Sequence, residues 1–502
     1  MAEPYYITTA ISYPNGKPHI GHAYEAIAAD AMARFRRAQG RDVRFQTGTD
    51  EHGLKMAQAA RAEGVEPAAY AGNMSLEFKA MCDLFNVSYD RFICTTEPDH
   101  HRASQALWKA MEANGDLYLD RYEGWYSVRD EAFYDEDELT DGEAGAKLSP
   151  QGTPVDWTAE ESWFFRLSAY GDRLLEYYRD NPAFIQPDSR RNEVMRFVEG
   201  GLRDLSISRT SFDWGIKVPG SEAHVMYVWL DALTNYITGL GYPDGGENWD
   251  KYWPADVHLI GKDVVRFHAV YWPAFLMSAG LSLPKQVYGH GFILAKGGEK
   301  MSKSLGNVVD PMAMAERYGV DALRYFLLRE VSFGQDGSYS HEAIVNRVNS
   351  ELANSFGNLA QRSLSMVFKN LDGVLPAAGE ADDDRALLDV VRGGCAGLAR
   401  EFDRFAFSTG LEAWMAAVFA CNAYVDAQAP WALKKTDPER MVAVLGTLVA
   451  AVRLLAEAVA PAIPGSAAKI VALIDSGADG APIEQPTPIF PRLELGEDEE
   501  AA

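Results

Sequence analysis

The sequence predicts an α/β protein: a parallel, doubly wound sheet interrupted by an insertion and followed by a mainly helical C-terminal part. Three observations carry this. The N-terminus reads strand, turn, helix, strand at a spacing that suits parallel neighbours. After about Gly115 the composition shifts to a stretch with little period, and α/β character returns near Val225. From about His341 apolar residues recur at three- and four-residue steps, the period of a helix.

The elements follow in order. Residues 5–10, YYITTA, are aromatic and β-branched and read as a strand. Ser12-Tyr13-Pro14-Asn15-Gly16 has turn chemistry. A helical pattern runs from about residue 20 to 39, with Gly40 as its stop, and residues 43–47 form a second strand. Residues 119–157, dense in Asp, Glu, Tyr and Gly, predict an irregular, partly β insertion. Val225-Met226-Tyr227-Val228-Trp229 and Asp256-Val257-His258-Leu259-Ile260 resume the α/β pattern. Val345, Val348, Leu352, Phe356 and Leu359 mark one helix stripe, and Asp382-Asp383-Asp384 predicts a solvated connection. A long apolar helix reaches Pro461 and is broken at Pro464-Gly465, and the acidic end from Gly496 predicts a frayed tail. The expected boundaries are 1–114 and 218–325 for the two halves of the sheet domain. Residues 115–217 are expected to form the insertion, 326–470 the helical domain and 471–502 the tail.

The 502 residues carry 47 Lys and Arg against 72 Asp and Glu, a net charge of -25. With 47% hydrophobic residues, disorder along the whole chain is excluded, because that much apolar surface offsets chain entropy. Four scattered cysteines, Cys82, Cys94, Cys395 and Cys421, exclude a disulfide scaffold and fit a reducing compartment. The longest apolar run stops at Arg453, short of the ~20 residues a membrane span needs. No secretory signature opens the chain, so the expected address is the cytoplasm, with no membrane partner. The acidic balance argues against indiscriminate nucleic-acid binding but leaves room for a local basic surface.

Two strings point to phosphate chemistry. His19-Ile20-Gly21-His22 stands where the first helix begins. A helix N-terminus offers N–H groups and a positive dipole end, Gly21 allows close approach of a nucleotide, and the two imidazoles share a face. The second string, Lys300-Met301-Ser302-Lys303-Ser304, follows Gly297-Gly298-Glu299. Two ammonium groups on a glycine-flanked loop can close over a polyphosphate and bind the charge that develops in the transition state.

On these residues the chain resembles the class I aminoacyl-tRNA synthetases, whose HIGH and KMSKS motifs the two strings match. The resemblance implies a split, Rossmann-like catalytic domain with a connective insertion, followed by an α-helical anticodon-binding domain. It implies that an amino acid's carboxylate attacks the α-phosphate of ATP, that pyrophosphate leaves, and that the terminal ribose of a tRNA takes the aminoacyl group. His19, His22, Lys300 and Lys303 would be the catalytic residues. His19, Gly21, His22, Asp263 and Lys303 would hold ATP, which Mg²⁺ is expected to accompany.

The resemblance is greatest to the methionine-specific family of that class. It runs through Ala10-Ile11-Ser12-Tyr13-Pro14-Asn15-Gly16, Thr49-Asp50-Glu51-His52-Gly53, Tyr227-Val228-Trp229-Leu230-Asp231-Ala232, Gly261-Lys262-Asp263-Val264-Val265-Arg266-Phe267-His268 and Ala429-Pro430-Trp431. By family position L-methionine would be enclosed by Ile11, Tyr13, Trp229, Ala232, Leu233, Tyr236, Val264 and His268, with Asp50 on its ammonium group. The chemistry agrees, since a thioether makes contacts of ~0.3–1.5 kcal/mol with aromatic rings. The Tyr13 hydroxyl or His268 is expected to give the sulfur a weak hydrogen bond, which leucine or isoleucine would leave unmade.

Many members of the family carry metal knuckles in the insertion, beginning with a Cys-x-x-Cys pair. Here Ser127 and Asp130 occupy those places, and no cysteine lies between Cys94 and Cys395. Four ligands cannot be assembled, so no zinc is expected. In the helical part Asn354, Asn358 and Arg362 recur every four residues. Family position assigns Asn358, Arg362 and Trp431 to the anticodon, by hydrogen bonding and stacking. No segment long enough for an additional C-terminal RNA-binding domain follows, so a monomer is expected.

Overall fold

The computed structural model describes residues 2–130, 132–142, 145–294 and 309–495. The chain divides into two compact units. One comprises Met1–Pro18, Gly40–Asp83 and Ser88–His290, and the other His19–Gln39, Leu84–Val87 and Gly291–Ala502.

Six parallel strands form the sheet of the first unit. Their order is Arg91–Cys94, Asp42–Thr49, Pro4–Thr9, Val257–Gly261, Val287–His290 and Ile185–Gln186. Ile7 pairs with Phe45 on one side and Val257 on the other. Tyr6, Ile7, Phe45 and Leu259 are fully buried, as expected of parallel strands covered on both faces. Each such side chain contributes roughly 1.5–3 kcal/mol by leaving water. Asp42–Thr49 and Arg91–Cys94 lie outward from Pro4–Thr9 on one side, and Val257–Gly261, Val287–His290 and the earlier segment Ile185–Gln186 lie on the other. The order therefore reverses between Pro4–Thr9 and Val257–Gly261, where the loops leaving the carboxyl ends diverge and a ligand crevice is expected.

The insertion is more regular than its sequence suggests. Leu117–Ser127 and Pro154–Phe165 pair antiparallel from Leu117 opposite Phe165 to Tyr126 opposite Asp156, and Ala132–Tyr134 adds on the other edge. Exposure along Leu117–Ser127 does not alternate, so the two-residue period of a half-buried strand is absent from the sequence. Residues 225–229 resume the α/β pattern. Val225–Met226 is a two-residue strand, and Val228–Thr238 is already helix. Trp229 therefore lies on a helix.

The second unit contains the helix Ile20–Ala38 and a helical array. The stripe beginning at Val345 is a compound helix: His341–Arg347 is α, Val348–Gly357 is π, and Asn358–Asn370 is α. Residues 382–384 are not a solvated connection. They form the first turn of the helix Asp382–Phe402, and Asp384 is fully buried. Arg440 approaches its carboxylate with both terminal nitrogens, at 2.6 and 2.9 Å, and Tyr424 donates its hydroxyl. Pro464 does more than break the preceding helix, because it opens another, Pro464–Asp475, at the position where a missing N–H costs nothing. Pro438–Val459 is long and apolar enough to cross a membrane by length and composition. Here Val444, Leu445, Leu448, Val452 and Leu455 are fully buried, and the Leu455 carbonyl accepts the Trp414 indole N–H at 2.9 Å, so it is a core helix. The acidic end from Gly496 lies outside the described residues.

Candidate active site

Three strand ends bring most of the expected methionine residues toward the reversal point. Ile11 and Tyr13 follow Pro4–Thr9, and Asp50 follows Asp42–Thr49. The two segments are tied by backbone bonds, Ser12 N–H to Gly48 at 2.9 Å and Asp50 N–H to Ser12 at 2.8 Å. Beyond Val257–Gly261, a short 3₁₀ turn carries Asp263, exposed, and Val264. The π-helical turn Phe267–Tyr271 carries His268.

The fourth wall is the helix Val228–Thr238. Trp229 is partly exposed, whereas Ala232, Leu233 and Tyr236 are buried. Trp229 stacks on Phe267 with centroids 3.8 Å apart and planes at 4°, and meets His268 nearly edge-on at 6.1 Å. Phe267 was quoted within the matching string, but its part in this wall was not foreseen. The Tyr236 hydroxyl lies 2.6 Å from Nε2 of His268, whose Nδ1 is 2.9 Å from the Val264 carbonyl. A carbonyl only accepts, so Nδ1 holds the proton and Nε2 accepts from Tyr236. Burial pushes this imidazole down to about 4, so it is neutral at physiological pH.

The expected hydrogen bond to sulfur does not fit this arrangement. His268 has its one ring proton on the Val264 carbonyl. The Tyr13 hydroxyl donates to the His52 carbonyl at 2.7 Å and accepts the Met56 N–H at 3.2 Å. Both groups hold the wall in shape.

The segment after Asp42–Thr49 is held by polar groups that sequence reasoning passed over. Glu51 is buried and receives the hydroxyls of Thr49, Ser75 and Thr96, while its carbonyl accepts the Trp214 indole N–H at 2.7 Å. His52 and His100 both reach the buried Asp231. His52, Glu51 and Asp231 stood inside the strings that carried the resemblance, but nothing local in the sequence shows that distant residues converge.

His19 and His22 are described within the second unit. His19 caps the helix Ile20–Ala38. Its Nδ1 accepts the Gly21 N–H at 3.1 Å, and Nδ1 of His22 accepts the His19 N–H at 3.1 Å, a reciprocal capping box made of two imidazoles. The rings stack at 3.7 Å. Each Nδ1 is an acceptor, so the ring proton resides on Nε2, the nitrogen suited to donate to a phosphate oxygen. One expectation changes. The first-turn amides are not an open cradle, since Ile20 N–H bonds Val309 and Gly21 N–H bonds His19. At Gly21 a Cβ would lie 2.9 Å from Cε1 of His19, so a side chain there would displace that ring. Lys300 and Lys303, with the rest of their string, lie outside the described residues.

The places expected for a metal knuckle hold a polar knot. Asp130 accepts the hydroxyls of Ser149 at 2.8 Å, Thr153 at 2.5 Å and Tyr134 at 3.0 Å. Ser127 accepts the Asp130 N–H at 3.2 Å and shares a hydrogen bond with Thr153 at 2.8 Å. Among the described residues no group of three or more His, Cys, Asp or Glu could hold a metal ion.

In the helical array the Arg362 guanidinium sits 4.6 Å over the ring of Trp431, which is 50% exposed, and lies 3.5 Å from Asp426. Asn358 is exposed one turn before Arg362. Ala429, left-handed at φ 46°, reverses the chain so that Pro430–Thr436 can start and present Trp431.

A parallel sheet with reversed strand order, an antiparallel insertion and a two-histidine helix cap are the parts of a class I synthetase. The family model for tRNA synthetases class I (M) matches residues 5–364, and that for the anticodon binding domain of methionyl tRNA ligase matches residues 375–498. The chain belongs to the methionine-specific class I tRNA synthetases. It is 56% identical over 505 residues to the methionine--tRNA ligase of Brucella suis biovar 1 (strain 1330), with 98% of each chain covered. It is 56% identical over 514 residues to that of Mycobacterium tuberculosis (strain ATCC 25618 / H37Rv), again over 98% of each. The structure of Mycobacterium tuberculosis methionyl-tRNA synthetase in complex with methionyl-adenylate is similar at a TM-score of 0.94 and 55% identity, covering 98% of this chain and 100% of that one.

Proposed function

We infer that this chain activates L-methionine with ATP and transfers the methionyl group to the 3′ end of its tRNA. The carrying observation is the aromatic wall of Trp229, Phe267 and Tyr236 beside the carboxyl-terminal strand ends, in a chain matched end to end by methionine--tRNA ligases. The methionine side chain lies against Ile11, Tyr13, Trp229, Ala232, Leu233, Tyr236, Val264 and His268. Asp50 binds its ammonium group. Selection then rests on shape and on sulfur–ring contacts.

In the first step the methionine carboxylate attacks the α-phosphorus of ATP, an oxygen–phosphorus bond forms, and pyrophosphate departs. His19 and His22 donate from Nε2 to phosphate oxygens as charge develops, and Lys300 and Lys303 take up charge on the departing pyrophosphate. Asp263, exposed at the mouth, binds the ribose. Mg²⁺ would accompany ATP and would offset negative charge on its phosphates. In the second step a hydroxyl of the terminal ribose attacks the methionyl carbonyl and AMP leaves.

Residues 1–114 and 218–325 serve as the catalytic domain, to whose sheet the otherwise separate, zinc-free insertion 115–217 contributes the edge strand Ile185–Gln186. Residues 326–470 read the anticodon through Asn358, Arg362 and Trp431, and the helix Pro464–Asp475 carries this helical part past the expected boundary at 470. The protein works as a cytoplasmic monomer, and its four scattered cysteines suit a reducing compartment. The test is ATP–pyrophosphate exchange with each of the twenty amino acids. Exchange is expected with methionine alone and is expected to fall strongly in Lys303→Ala. Exchange with another amino acid in preference to methionine overturns the reading.

A further inference from the structure

Asp231 has no part in the steps above, yet it stands at the join of two pocket walls. It is fully buried on the helix Val228–Thr238, between Trp229 and Ala232 in sequence. Its Oδ2 is 2.7 Å from Nδ1 of His52, and its Oδ1 is 2.7 Å from Nε2 of His100. Nδ1 of His100 is 3.0 Å from the Thr238 hydroxyl, two turns further along the same helix. The carbonyl of His52 in turn holds the Tyr13 hydroxyl. A continuous run, Tyr13 to His52 to Asp231 to His100 to Thr238, thus links the strand end bearing Asp50 to the helix bearing Trp229 and Tyr236.

Burial alone would raise the Asp231 carboxyl. The electrostatic influence of His52 and the hydrogen bonds from His100 and His52 outweigh that and hold it well below the usual carboxylate range. A buried anion tolerates little displacement of its donors, because losing one leaves charge uncompensated in a dry interior.

We propose that Asp231 is a positioning residue for methionine: by clamping His52 and His100 it sets the spacing between Asp50 and the Trp229–Tyr236 wall. This rests on the methionine pocket inferred above. Asp231 touches no substrate in this scheme and acts through His52. The sensitivity expected is that of a binding site displaced by ~1 Å, which can cost up to about a hundredfold.

The test is ATP–pyrophosphate exchange on the full chain, with KM for methionine and for ATP measured separately and folding checked by circular dichroism. Asp231→Asn is expected to raise the methionine KM about tenfold or more, with the ATP KM within about twofold. His52→Ala is expected to do the same. In His52→Asn the side-chain amide N–H takes the place of Nδ1–H and is expected to recover most of the loss. If Asp231→Asn fails to fold, the His52 pair decides alone. The proposal is overturned by an unchanged methionine KM in His52→Ala, by equal rises in both KM values, or by no recovery in His52→Asn. Trp229→Ala separates the two readings. If it leaves methionine binding unchanged, the pocket itself is wrong, whereas if it weakens binding and the clamp variants do not, only the clamp fails.

Discussion

Arg324 and Asp30, 294 residues apart, form an ion pair of 2.7 Å in which both side chains are fully buried. The same guanidinium donates to the carbonyls of Phe85, Pro461 and Ala462 at 2.9, 2.9 and 3.1 Å. Asp30 also receives Arg34 at 2.8 Å. One side chain therefore fastens the helix capped by His19 to residue 85 and to the end of Pro438–Val459. Removing Arg324 leaves three buried carbonyls without their donor and takes from Asp30 one of its two guanidinium partners. Arg324→Met is expected to cost about 3–5 kcal/mol, read as a lower urea midpoint at constant slope. Arg324→Lys keeps the charge but cannot reproduce the fork, so it is expected to recover only part of that loss. A change below about 1 kcal/mol in Arg324→Met would show the network to be dispensable.

The insertion gives a second prediction. Three hydroxyls converge on Asp130, and Ser149 and Thr153 among them are buried. Asp130→Ala removes their common acceptor while Ser149 and Thr153 keep each other and Thr153 keeps Ser127, so about 1–3 kcal/mol is expected. Dialysis against a chelator is expected to leave the melting midpoint of the wild-type protein unchanged. Metal analysis is the independent check, and stoichiometric zinc in the purified chain contradicts a knot that stands on hydrogen bonds.

The first strand, helix and second strand were legible because each carries its own period and punctuation. Ile20–Ala38 and Asp42–Thr49 fall close to where propensity put them. Ile185–Gln186 was not legible, since two residues carry no period and the strand exists only by pairing with Val287–His290. Asp384 was misread because an Asp triplet is normally solvated, and what buries it is Arg440, 56 residues away. The site shows the same division. Trp229 and His268 stand in matching strings and Tyr236 was assigned by family position, whereas the convergence of His52, His100 and Asp231 depends on segments 131 and 179 residues apart in sequence. The sulfur hydrogen bond failed for a related reason, because residue type shows that a donor exists but not that its proton is already committed.

The pH dependence of His268 supplies a third prediction. Its imidazole is pushed by burial from 6.5 down to about 4, so between those values the unfolded chain binds more protons than the folded one. Stability from this group is complete above about 6.5 and is lost as the pH falls toward 4, by up to about 3 kcal/mol. Its ring is faced by Tyr236, by the Val264 carbonyl and by His258 at 6.4 Å, which burial also pushes well down and which titrates in the same sense. Protonation would turn Nε2 into a donor facing the Tyr236 hydroxyl, so the methionine KM is expected to rise over the same window. His268→Asn keeps a donor toward Val264 and removes the titration. Urea midpoints measured from pH 7 to 4.5 are expected to fall less steeply in that variant, and parallel curves would remove His268 from the acid response.

The anticodon assignment is tested by separating the two half-reactions. The Arg362 guanidinium lies 4.6 Å over one face of Trp431, a cation–π contact that fixes the plane of a ring otherwise half in solvent. A fixed, exposed indole is a platform on which an unstacked base gains about 1–3 kcal/mol. Trp431→Ala is therefore expected to lower kcat/KM for tRNA charging about tenfold to a hundredfold, while ATP–pyrophosphate exchange changes by less than about twofold. Arg362→Leu removes both the orienting charge and a hydrogen-bond donor, and it is expected to lose at least as much in charging as Trp431→Ala. Asp426, 3.5 Å from Arg362, competes for that charge, so Asp426→Asn is expected to leave charging intact or raise it slightly. If Trp431→Ala lowers exchange and charging by the same factor, the ring acts on the stability of the whole chain and the anticodon is read elsewhere.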